Sequence, residues 1–79
     1  MIDVSEVTEV LNSDGFVTLL GDEDMVQLSF GGHSGDVIIE LNGLPIASHK
    51  RVGSRMTNHV SELIERFNLS DIGEDHWQN

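Results

Sequence analysis

"MVQLSFGGHSGDVIIELNGLPI", residues 25–46, is the stretch whose reading decides the fold. Val26, Leu28 and Phe30 alternate with Gln27 and Ser29, the pattern of a strand buried on one face only. After the turn "GGHSGD", Val37, Ile39 and Leu41 repeat the alternation. Asn42-Gly43 is the strongest turn signal in the chain, because both central positions of a type I′ turn need positive φ. A two-residue loop there pairs Leu41 with Leu44 and Ile39 with Ile46, and keeps all four on one face. Pro45 shortens the last strand or confines it to a sheet edge.

Working outward, "GFVTLL" (15–20) reads as a further strand, joined to "MVQLSF" through Asp22, Glu23 and Asp24. Before it, "DVSEVTEVLNSDG" (3–15) reads as a short helix. Asp3 stands as its cap with Glu6 three residues on, and Val4, Val7 and Leu11 recur at helical spacing. Three valines, Val4, Val7 and Val10, lower its intrinsic propensity, so packing must hold it. From Ser54 the period changes again: Met56, Val60, Leu63, Ile64 and Phe67 form an apolar stripe, with Glu62, Glu65 and Arg66 off it. Leu69 adds a last turn, and 70–79 reads as a loose acidic tail. The expectation is one α+β domain over 1–79: a short N-terminal helix, an antiparallel meander of three to four strands, and a longer C-terminal helix packed on the sheet.

At 79 residues the chain is near the size where a single core is only just sufficient. It has no Cys, so neither disulfides nor thiolates can staple it, which suits the cytoplasm. No apolar run approaches a membrane span. Fourteen Asp and Glu face four Lys and Arg, for a net charge of −10. Residues 1–48 hold nine of the acids and no Lys or Arg, while Lys50, Arg51, Arg55 and Arg66 hold all the basic charge. Such a field repels phosphate and disfavours direct binding to DNA or RNA. It attracts basic surfaces, and nucleic-acid-binding proteins carry the largest of these. Against this stands a plainer account, in which the acids serve solubility or life in high salt on a small structural or regulatory protein that dimerises.

Three adjacent carboxylates, Asp22, Glu23 and Asp24, exceed what a bend requires. Carboxylates match arginine forks bidentately, as phosphates do. Alternate strand positions stand ~6.6 Å apart, a spacing of the order of phosphate repeats. As metal ligands the three acids lack the spacing of a calcium loop, and His33, His49, His59 and His76 are scattered, so neither a metal nor a cofactor is expected. His33, Ser34 and Asp36 are neighbours on a turn, which rarely point into one triad, so no enzyme is expected either. Lys50, Arg51 and Arg55, in the loop before the second helix, are expected to pair with the chain's own acids. Trp77, the single Trp, either packs on the core or anchors a partner.

"VTEVLNSDGFVTLLG" (7–21), a short helix, an Asn-x-Asp turn and an alternating strand ending in Gly, resembles the start of small acidic phage-borne anti-CRISPR proteins. The similar ones are Cas9 inhibitors of helix–three strands–helix order. The resemblance implies a non-enzymatic inhibitor that occupies the DNA-binding site of a CRISPR–Cas effector and mimics nucleic acid. It places partner contacts at Asp14 and at Asp22, Glu23 and Asp24, and more loosely at Asp36 and Glu40. The chain departs from that pattern after residue 48, where "SHKRVGSR" is basic.

Overall fold

Asn42 and Gly43 both adopt left-handed φ, 52° and 91°, so the two-residue turn forms as its sequence requires. The computed structural model describes residues 2–31, 35–50 and 53–73, with only the backbone at 53–55. Its elements are α1 (Val4–Asp14), β1 (Phe16–Gly21), β2 (Met25–Gly31), β3 (Asp36–Leu41), β4 (Leu44–His49), α2 (Gly53–Phe67) and β5 (Leu69–Ile72). All five strands form one antiparallel sheet in the order β4-β3-β2-β1-β5. Both helices lie on one face, giving the α+β layering expected from the alternation.

The core sits between that face and the helices. Val17, Leu19, Val26, Leu28, Val37 and Ile39 supply the sheet side, and Val7, Leu11, Met56, Val60 and Leu63 the helix side. The helical stripe and the strand alternation therefore bury as their periods dictate. Helix α1 begins at Asp3, whose carboxylate accepts from the Ser5 N–H (3.0 Å) and the Ser5 hydroxyl (2.8 Å). Gly15 ends it in the left-handed region, where its N–H donates to the Leu11 carbonyl (2.9 Å).

The Ser5 hydroxyl, then the Ser5 N–H, hold the Asp3 carboxyl below its ordinary range, with the Glu6 N–H a smaller contributor. A carboxyl held low in the fold stabilises it above the unfolded value, and that contribution fades as pH falls through the lowered folded value. The Asp3→Ala variant should therefore melt a few degrees below the parent at neutral pH, with the gap closing in acid. A gap that stays constant in melting curves down to strongly acidic pH would show that the charge at Asp3 contributes nothing.

Two expectations about the strands need correction. Leu41 does pair with Leu44, but Ile39 pairs with Ala47, not with Ile46. The register slips by one between Ile39 and Glu40, leaving Ile46 as the extra residue of a bulge beside Pro45. A proline ring without an N–H interrupts the ladder, and a bulge absorbs the interruption. Leu44 and Ile46 are consequently exposed, by 70% and 46%, while the strand keeps its expected place at the sheet edge.

The second correction concerns Leu69 and the residues after it, read above as a helical turn leading into a tail. Asn68, at φ 53°, ends α2, and Leu69–Ile72 becomes β5, paired antiparallel with β1. Leu19 faces Ile72 and Gly21 faces Leu69, with a register shift between them. That shift lets two apolar residues three apart in sequence turn toward the same core, where Leu69 is buried. The sheet thus has five strands, one more than the three to four expected. Of the 70–79 tail, 70–72 are strand; residues 74–79, with His76 and Trp77, lie outside the described residues, as do His33, Ser34 and Arg51. Arg55 falls within α2, not in the loop before it.

Candidate acidic interface

The β1–β2 turn carries Asp22 and Glu23 at its tip, both exposed. Its neck is closed by the Gly21 N–H, which donates to the Asp24 carbonyl (2.8 Å). Asp24 differs from the other two. It is half-buried, and its Oδ1 accepts from Asn42 Nδ2 (3.1 Å). Asn42 also accepts at Oδ1 from the Met25 N–H (2.9 Å) and donates its own N–H to the Met25 carbonyl (2.8 Å). One side chain therefore ties the β1–β2 turn to the β3–β4 turn. Sequence reasoning read Asn42 only as a turn former. Its second role depends on two hairpin ends lying side by side, which is a property of the sheet order.

The other acids lie elsewhere. Asp14 is the last residue of α1 and is exposed, beside Gly15, whose carbonyl accepts from the Phe30 N–H (3.2 Å). The carbonyl end of a helix is already negative, so Asp14 deepens a negative field there. Asp36 opens β3 and pairs with Gly31, at the same end of β2 as Asp14. Met25–Gly31 separates this end from the Asp22–Asp24 end, a span of roughly 20 Å at strand rise. Glu40 stands between them, half-buried on the sheet face opposite the helices, in one row with Gln27 and Pro45. The six acids therefore form no single cluster. Asp36 and Glu40 stand on the open sheet face, Asp22 to Asp24 in the turn at its other end, and Asp14 at the end of α1 in the helix layer.

That face carries Gln27, Ser29 and Glu40 on its middle strands, with Phe16 and Ile38 on either side of Ser29. Its apolar members near one end, Leu20 and Met25, are directly paired and partly exposed. Because residues 1–48 contain no Lys or Arg, α1 and strands β1 to β3 contribute no such cation to it. Of the described basic side chains, Lys50 directly follows β4, and Arg66 sits near the end of α2, its guanidinium over the Phe67 ring at 5.3 Å.

His49 of β4 and His59 of α2 are half-buried and stacked, with ring centroids 3.8 Å apart and 15° between planes. Among the described residues no three His, Cys, Asp or Glu are grouped to hold a metal ion. Nor is any helix there long and apolar enough to cross a membrane. Set beside protein-family models, curated proteins and solved structures, the chain has no significant match to any of them.

Proposed function

We propose that this chain acts by binding, as an acidic module that occupies a basic nucleic-acid-binding surface of another protein in place of the nucleic acid. The observation that carries this reading is the open sheet face: acidic at both ends, with Glu40 between, and built from a segment with no Lys or Arg. Its ends lie roughly 20 Å apart, the axial rise of about six nucleotides in one strand of a duplex. The likeness of residues 7–21 to phage-type Cas9 inhibitors supports a CRISPR–Cas effector as the partner, in the cytoplasm of the host cell. No cofactor or catalytic step belongs to this reading. Charge would speed the encounter and make the complex sensitive to salt.

The test is capture of CRISPR–Cas effectors on the tagged chain at low and high salt, followed by titration of the effector retained. Asp22→Asn with Glu23→Gln is the informative variant, since both side chains are exposed. Asp24 is left intact because Asn42 uses it. The double variant should bind about tenfold more weakly and lose part of its salt dependence. Retention of no nucleic-acid-binding protein, or binding indifferent to both salt and the double variant, would sink the proposal. If instead molar salt raises the melting temperature of the isolated chain steeply, the acids serve the chain's own solvation.

A further inference from the structure

Helix α2 covers the sheet unevenly. Its His59 stacks on His49 of edge strand β4, whereas its end at Phe67 runs into Leu69 of β5, the opposite edge. The helix therefore crosses the sheet obliquely, and its last turns draw away from β4. This leaves a groove of about 250 Å³ that runs from the stacked His49 and His59 to the hairpin corner, where Leu41, Ile46 and Phe67 line it, with Glu62 and Arg66 on its helix side. Leu44, paired with Leu41 at the same corner, is 70% exposed.

We propose that a second copy of this chain docks on this corner about a two-fold axis, each Leu44 entering the groove of the other. A two-fold interface must be self-complementary, because the same patch supplies both sides. The corner meets that demand in shape, with a projecting Leu44 beside an apolar groove. It meets it in charge as well, because Glu62 and Arg66 stand one helical turn apart and balance each other. Two-fold rotation sets Arg66 of each copy against Glu62 of the other. Elsewhere two chains of net charge −10 repel, most strongly across faces built from residues 1–48. Addition of β4 to a neighbouring β4 is a poor alternative, since Pro45 lacks a donor and the bulge at Ile46 twists the edge. The contact therefore runs through side chains. It leaves the open sheet face free, so the dimer carries two acidic faces. The inference rests on the corner alone and stands whatever the acidic face binds.

Sedimentation velocity of the full chain over a wide concentration range tests it. The parent should dimerise reversibly, and Leu44→Asp should weaken the dimer at least ~tenfold while leaving the circular dichroism spectrum and melting temperature of the monomer unchanged. Arg66→Glu and Glu62→Arg should each weaken it, and the two together should restore it. A parent that stays monomeric at every concentration would overturn the proposal. So would a dimer indifferent to Leu44→Asp, or a double charge swap no better than either single one.

Discussion

Replacing Leu19 by alanine is expected to cost the domain about 3 kcal/mol, within the range found for buried leucines. Leu19 is fully buried at the middle of β1, opposite Val26 on one side and Ile72 on the other. Truncation there removes three carbons from a position gripped by two strands and covered by helix, so collapse into the cavity is limited. A domain of this size has roughly 4–12 kcal/mol in total, so the loss is a large share of it. The melting temperature should fall by roughly 12–24 °C. Urea unfolding followed by circular dichroism gives the number directly, and the slope should stay constant while the midpoint drops. A loss under about 1 kcal/mol would mean that β1 does not carry the core.

Gly21→Val should cost about 2–3 kcal/mol, by crowding instead of emptying. A Cβ at Gly21 would stand 3.0 Å from the Asn68 carbonyl oxygen and 3.1 Å from that of Phe67. Both are backbone atoms, where α2 ends and β5 begins, so neither can swing aside. The damage should be local as well as global. Amide protons of β5 should exchange faster in hydrogen-exchange measurements than those of the β2–β3 ladder, once corrected for overall stability. Gly73→Ala is the control, since its nearest contacts would be an ordinary 3.4 Å, and its cost should stay within about 0.5 kcal/mol. Equal losses at both glycines would refute the role given to Gly21.

How far this could be read beforehand depended on how local each signal was. The strands of residues 16–41, the Asn42-Gly43 turn and the α2 stripe carry their periods within themselves, and they fold as those periods require. Strand β5 does not. Leu69 and Ile72 are three apart, a helical spacing, and only the shift opposite Leu20 and Gly21 turns both inward. The slip at Ile46 was hidden for a related reason: Pro45 announces an interrupted ladder but not which neighbour absorbs it. For the acidic residues, exposure at Asp22 and Glu23 followed from their turn. Their separation from Asp14 and Asp36 followed from the sheet, because consecutive turns of a meander fall at opposite ends. The engagement of Asp24 with Asn42 needed two hairpins placed side by side, which no window of sequence contains.

The position of β5 also bears on the birth of the protein. Strand β1 is complete at residue 21, yet its outer partner begins only at residue 69. At ribosomal speeds of about 5–20 residues per second, that gap is roughly 2–10 s. The hairpins β1–β2, β2–β3 and β3–β4 close over short loops and can form as they emerge. Throughout that interval the nascent sheet presents β1 as an unpaired edge, with its N–H and C=O groups open to any neighbouring chain. Crowded polysomes would expose this weakness first, and the remedy arrives only with the last described strand.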